Sequence, residues 1–421
     1  LLAVFQTTAI PAANEEVEYN HNQDVQSQLI DFHGAATEVS EKGARSSVSV
    51  PLGVQYPSRL LFFNPPAPAG TLETSTEQKV VIENVTSENP TVNKYFNGTV
   101  DNITTRTLNF QPNYNQYRSA PITRYEYGLL YNEFETSQLA VNDGGVIVGN
   151  DISLIMPAGE LREQSKGTVS IDTRPASAPT NTVAMTGNGS GPITLTLPSE
   201  LKATTWRESI DMTNVQSVND TGNGSVQIKL NPNETYTLQM SRIGVGENPA
   251  QQNARYLYSI NGQQVTIPQG QTSLIDVEVR DKYNNPVRNR DVRVIVGAGG
   301  GTVAQNIVRS NEDGIAEVQY NAPTTPQQVT LFATLDSDFS DFNPDADPDD
   351  ISVDVFVTRF AGGVGQTPEI TIDETEAGCG STSFGDFIDN PVGSVTTNQG
   401  TVGVEWTAEL DGTATDMDTV E

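Results

Sequence analysis

The hydrophobic pattern changes period along the chain. Val17, His21, Val25, Leu29 and Phe32 recur at spacings of four, four, four and three, which places them along one face of an α-helix. Ahead of them, Leu1 to Ala13 are almost free of charge, and Glu15 opens a polar stretch. Pro11 is expected to kink or restart the helix between these halves. From residue 41 to about 260 the pattern reads as strand throughout. SSVSVPLGVQY, RLLFF, KVVIENVT, TRTLNF, YEYGLLY, GGVIVGNDISLIMP, GTVSIDT, PITLTLP, GSVQIKL and ETYTLQMSRIG are separated by turn clusters such as NPPAPAG, NPN and GNGSG. One short helix is predicted at SELKATTWRES, 199–209, with Ser199 as its N-cap; Lys202 stands where a capping box would want Glu.

The alternation is cleanest between about 262 and 358. Ile275, Val277 and Val279 alternate with Asp276, Glu278 and Arg280. Further inward rows are Val292, Val294 and Val296; Ala316, Val318 and Tyr320; Val329, Leu331 and Ala333; and Val353, Val355 and Val357. NNP and Asp313-Gly314 mark turns, and GAGGGTV is read as a flexible loop. Period two at this density predicts a small two-sheet sandwich in which each strand buries one face. Past 361, VGVEWTAEL reads as a strand anchored by Trp406; a segment of about 60 residues with neither disulfide nor metal is small for a separate fold. It is expected either to pack on a neighbour or to be incomplete. The expected division is a helical stem over 1–38, a β domain over 39–260, a sandwich over 261–360 and a further β segment over 361–421.

Composition agrees with short strands: 35 Gly and 24 Pro punctuate 421 residues, and aromatics make up only 7%. Charge changes the picture more. Against 53 acidic residues stand 23 basic ones, giving a net charge of −30 and a pI near 4.2. Only seven of the basic residues are Lys. Such a charge repels itself unless salt screens it, and the Debye length falls to about 3 Å at 1 M. The favoured reading is a protein built for brine; an acidic secreted protein in ordinary medium is the other. Nucleic acid is not expected as a partner, since phosphate binding needs a basic face. Cys379 stands alone, so no disulfide can form within the chain.

Candidate chemistry is sparse. His21 and His33 are 12 residues apart, which is not the i, i+4 spacing of a helical metal pair, and GxSxG, a P-loop and CxxC are all absent. An enzyme is not expected, and no cofactor is called for. Seven Asn-x-Ser/Thr sequons cluster between 84 and 235, at Asn84, Asn97, Asn102, Asn188, Asn219, Asn223 and Asn233. Glycans need exposed loops on an exported protein, so the cluster points this region to the medium. Asp336, Asp338, Asp341, Asp345 and Asp347 lie in LDSDFSDFNPDADPDD; they read first as a solvated loop, with Ca²⁺ binding as the other reading. Tyr114, Tyr117, Tyr125, Tyr127 and Tyr131 read first as sheet packing, with a platform for surface glycans as the other reading.

Two resemblances add to this. The start, LLAVFQTTAIPAANEEVEYNHNQDVQSQLIDF, resembles the N-terminal stem of archaeal type IV pilins and the pilin-like surface proteins of haloarchaea. It covers about the first 35 residues and lacks the cleavage motif. The start without Met then implies an apolar run that continued upstream or was trimmed by a peptidase. The resemblance implies that Leu1, Leu2, Val4, Phe5 and Ile10 sit in a membrane during biogenesis and then pack with like copies in a filament. VEVRDKYNNPVRNRDVRVIV and VRSNEDGIAEVQYNAP resemble the immunoglobulin-like domains of invasin and intimin over about 95 residues. Asp281, Asn285, Pro286, Val287, Gly314 and Ala316 match that pattern, while Asn284 replaces its usual Gly and Ser310 its frequent Thr. That family uses the domain as a spacer at the cell surface. Together these imply a mainly β chain, an α-helical stem followed by tandem β-sandwiches of immunoglobulin-like type.

Overall fold

The computed structural model describes residues 5–59, 63–98, 103–249 and 252–359, and the backbone of short strands between residues 370 and 420. It is mainly β, with an N-terminal helix and sandwiched sheets. A π-helical turn, Phe5–Ala9, leads into the helix α1, Ile10–Lys42. Pro11 falls in the first turn of α1, where a missing N–H costs nothing. Gly43 ends the helix in the left-handed conformation, φ 64°, donating its N–H to the Val39 carbonyl at 2.9 Å.

The buried seam of α1 runs through Ile10, Asn14, Glu18, Asn22, Val25, Leu29, Phe32, Ala36 and Val39. Val25, Leu29 and Phe32 lie where the periodicity placed them. Val17 and His21 do not: both are half-buried at the edge of the seam, and Glu18 and Asn22 occupy its centre. The apolar half packs on Val48, Val50, Leu72, Phe110, Tyr125 and Ile243 of the β region, with Phe32 edge-to-face on Tyr125 at 5.1 Å.

Three sheets build the middle of the chain. The first orders its strands Ser46–Pro51, Thr168–Ser177, Tyr236–Val245, Asp151–Ala158 and Ile147–Val148, with Thr182–Gly187 and Val85–Thr86 attached at one side. Asp151–Ala158 and Tyr236–Val245 pair in parallel and are buried almost continuously, as an interior strand pair requires. The second, six-stranded sheet runs Arg162–Ser165, Gly70–Thr74, Leu108–Gln111, Ile122–Glu126, Leu129–Glu133 and Gln138–Ala140. The third runs Val215–Asp220, Ser225–Leu230, Thr194–Pro198, Gln78–Glu83 and Ile103–Thr105.

Two helices interrupt the strands. The first, α2, Pro90–Gly98, falls in a region read as all β. Asn89 caps it, its side-chain oxygen accepting the N–H groups of Thr91 at 3.0 Å and Val92 at 3.3 Å, with Pro90 at the first helical position. The second, α3, Ala203–Ser209, is shorter than predicted, and Ser199 is not its cap. Asp220, from a neighbouring strand, instead accepts the Ala203 N–H at 2.8 Å. Ser199 is buried, donating to Glu126 at 2.6 Å and accepting from the Trp206 indole at 2.9 Å. The predicted strand RLLFF lies partly outside the described residues, and Phe63 is exposed coil.

Residues 254–358 form the sandwich. One sheet orders Ala254–Ser259, Thr272–Asp281, Ile315–Asn321 and Thr302–Val303; the other orders Gln264–Pro268, Asp350–Thr358, Gln327–Thr334, Asp291–Ala298 and Ile307–Arg309. The predicted inward rows meet between them, all buried except the half-buried Val296. Asn284 takes the left-handed conformation, φ 70°, as a residue standing in for Gly must. The Gly-rich stretch, read as flexible, is held: the Tyr320 hydroxyl donates to the Gly300 carbonyl at 2.6 Å.

Candidate functional site

Glu18 explains why the α1 seam is polar at its centre. The loop at 115–117 turns three half-buried backbone N–H groups toward the helix, and N–H groups drawn away from water need an acceptor. Glu18 supplies it, accepting from Asn115 at 2.9 Å, Gln116 at 2.7 Å and Tyr117 at 2.6 Å, and from the Tyr56 hydroxyl. Tyr114 donates to or accepts from His21 Nδ1 at 2.7 Å, and Tyr117 packs edge-on against Tyr19. The clasp therefore fixes the part of the helix that precedes Val25, where the apolar cluster begins. Tyr125, Tyr127 and Tyr131 are buried in the sheets, while Tyr114 and Tyr117 serve this clasp. Burial holds the imidazoles of His21 and His33 below the ordinary value, against the opposing pull of Asp24 on the first and Asp143 on the second.

The NNP turn does more than reverse the chain. Asp281 accepts the N–H groups of Tyr283 at 2.8 Å and Asn285 at 3.1 Å, and its second oxygen accepts from the Ser177 hydroxyl at 2.6 Å. Asn285 donates to the Met240 carbonyl at 2.6 Å and Ser177 Oγ at 2.8 Å, and accepts the Asn181 N–H at 2.9 Å. Asn181 donates onward to Glu278 at 2.6 Å, and the Arg280 guanidinium grips Glu278 at 2.7 Å and 3.0 Å. Tyr95 of α2 stacks on Tyr256 at 4.9 Å and donates to the Lys282 carbonyl at 3.1 Å. The sandwich is thus locked to the glycan-sequon region through a dry polar network. Burial pushes the Asp281 carboxyl upward, partly offset by its hydrogen bonds.

The acidic loop makes its visible contact with a cation of the chain itself. The ammonium of Lys94, on α2, donates to the carbonyls of Pro344 at 2.5 Å, Asp350 at 3.1 Å and Asp347 at 3.2 Å. Burial lowers its pKa, while Asp350, Asp345 and Asp347 work the other way. Asp336 is half-buried and Asp338, Asp341, Asp345 and Asp347 are exposed; Asp338 caps the Ser340 N–H at 2.9 Å. Among the described residues no group of three or more His, Cys, Asp or Glu is arranged to hold a metal ion.

Of the sequons, Asn188, Asn219, Asn223 and Asn233 are exposed. Asn84 is half-buried, and its side-chain amide donates to the Pro192 carbonyl at 3.1 Å. Asn102 and the side chain of Asn97 lie outside the described residues, as do Leu1, Leu2, Val4 and the side chain of Phe5. Ile10 is buried at the start of the seam. Asn84, Asn188 and Asn233 gather at one end of the third sheet, where Asn188 N–H donates to the Asn84 carbonyl at 3.0 Å; Asn223 is at the other end. Sequence reasoning missed Glu18, Lys94 and the joint. Only the run Glu278, Arg280, Asp281, three charges at the end of a clean strand, hinted at a second buried face.

The fold defines a mainly β chain with a docked N-terminal helix and an immunoglobulin-like sandwich. Among solved structures it is similar to the D00-D0 domain of intimin, with TM-score 0.23, 12% identity, and coverage of 42% of this chain and 92% of that one. It is also similar to domains 4-9 of the surface layer protein SbsC, with TM-score 0.21, 12% identity, and coverage of 83% of this chain and 42% of that one. A third is the adhesin FdeC of Escherichia coli, with TM-score 0.21, 12% identity, and coverage of 58% of this chain and 93% of that one. At scores this low the similarity decides nothing about role. No family model and no curated protein matches the chain.

Proposed function

We propose that the protein is a structural subunit of an extracellular surface, pilin-like in organisation, in which the apolar start Leu1–Phe5 assembles with like copies, Ile10 being already buried within the chain. The observation that carries the reading is the way α1 is held. Its apolar seam and the Glu18 clasp bind one rod rigidly to the β body, so whatever Leu1–Phe5 packs into bears the load of the whole body. Among the described residues no helix is long and apolar enough to cross a membrane. In this reading the membrane or filament core holds only the leading segment. The locked joint then makes the sandwich a strut, the exposed sequons face the medium, and a net charge of −30 suits brine. Any Ca²⁺ would stiffen the acidic loop beside Lys94.

Electron micrographs of sheared cells test this. Filaments of regular subunit spacing are expected, and they disappear when Leu2, Val4 and Phe5 are replaced together by Ser. Isolated stalks, with protein that stays monomeric in molar salt with its leading segment intact, would instead indicate a membrane-tethered adhesin or surface-layer-type subunit.

A further inference from the structure

Between the sandwich and the body lies a cleft of about 780 Å³ whose lining contrasts with the rest of the chain. Arg45, Arg174, Arg288 and Arg290 line it, and no Asp or Glu does. Only 23 of the 421 residues are basic, so four arginines lining one cleft with no Asp or Glu among the lining is not what an acidic surface produces by averaging. Two of the four are held in place. Arg174 donates one terminal nitrogen to the Gly246 carbonyl at 3.0 Å, and Arg290 donates one to the Gln252 carbonyl at 3.2 Å. A guanidinium tethered by one nitrogen keeps its remaining N–H donors in fixed directions, which favours paired hydrogen bonds to two oxygens of an oxyanion. Arg45 and Arg288 are exposed and reach in from the two sides, one from the end of α1 and one from the turn after Val287. Arg174 also borders a groove that holds Glu160, Asp172 and Glu247, and Arg290 borders one that holds Asp291, Asp336 and Asp349, so the charge of each is shared there; Arg45 and Arg288 take no part in either groove.

We infer that this cleft binds an oxyanion-bearing chain, specifically an acidic polysaccharide presenting carboxylate or sulfate groups. Its volume lies within the roughly 300–1,000 Å³ range of ligand-binding clefts. The rest of the molecule repels a polyanion at long range, so binding rests on short, direct forks that salt screens little. The inference does not depend on filament assembly.

The test is fluorescence anisotropy of the full chain in molar KCl with three labelled oligomers: dextran sulfate, polygalacturonate and neutral dextran. Saturable binding of one or both anionic oligomers and none of the neutral one is expected; which arm binds identifies the oxyanion. The double variant Arg45→Gln/Arg288→Gln alters only exposed side chains and is expected to lose at least about tenfold in affinity. Arg118→Gln, exposed and outside the cleft, is expected to change nothing. Absence of saturable binding, or equal weakening by Arg118→Gln, overturns the proposal. So does self-association that the double variant abolishes while glycan binding is unchanged, because the occupant would then be a second copy.

Discussion

Replacing Asn285 by Ala is the sharpest probe of the joint. The side chain is fully buried. It makes four hydrogen bonds across the interface: to the Met240 carbonyl at 2.6 Å, to Ser177 Oγ at 2.8 Å, to the Ser177 carbonyl at 3.2 Å, and from the Asn181 N–H at 2.9 Å. The long bond to the Ser177 carbonyl is discounted, and the other three are worth about 1 kcal/mol each net. Leaving the Asn181 N–H without an acceptor adds about 1 kcal/mol more. The expected loss is therefore about 3–4 kcal/mol, a large part of the roughly 5–15 kcal/mol that holds a domain folded. It falls on the coupling between the sandwich and the body, because every partner lies across the interface. Trp206, buried in the body, reports that part alone once Trp406 is replaced by Phe, while far-UV circular dichroism reports both parts. In the parent the two urea transitions should coincide. In the Ala variant the transitions should separate. A loss below about 1 kcal/mol with coincident transitions would refute the account of the joint.

Three further outcomes are expected. Gly314→Ala places a Cβ 2.7 Å from Pro286 Cβ at a φ of 77°, and should cost about 1–3 kcal/mol in urea unfolding. Phe32→Ala removes a fully buried ring that meets Tyr125 at 5.1 Å; it should cost about 3–5 kcal/mol and speed hydrogen exchange along α1. Burial lowers the His21 and His33 pKa values, so the folded chain releases those protons more readily than the unfolded chain. Stability from helix docking should therefore be complete above about pH 6.5 and fall as pH drops through the depressed folded values. Exchange of α1 amides at pH 7.5 and 5 measures this, and replacing both histidines by Gln should flatten the difference.

The strand-rich class and the inward rows of the sandwich were legible in the sequence, because each is set by local sterics or by a period of two residues. The left-handed Asn284 was legible for the same reason: the turn demands that backbone conformation and few side chains tolerate it. The kink or restart expected at Pro11 is not seen, since the backbone stays helical from the π-helical turn into α1 and Pro11 falls in its first turn. The cap of α3 was not, because Asp220 approaches from a strand 17 residues later. The α2 helix carried its own Asn-Pro start signal but lay inside a strand-rich context that masked it. Val17 and His21 had the right spacing and lost the centre of the seam to Glu18. What a buried helix face needs depends on the surface opposite it, and that surface, the turned-in N–H groups of 115–117, is a tertiary fact. The same holds for the joint, for Lys94 on the carbonyls of the acidic loop, and for the arginine cleft. Local sequence dictates which elements form and which face of each is apolar. Which polar groups lose their water, and so must find partners, is decided only when distant segments meet.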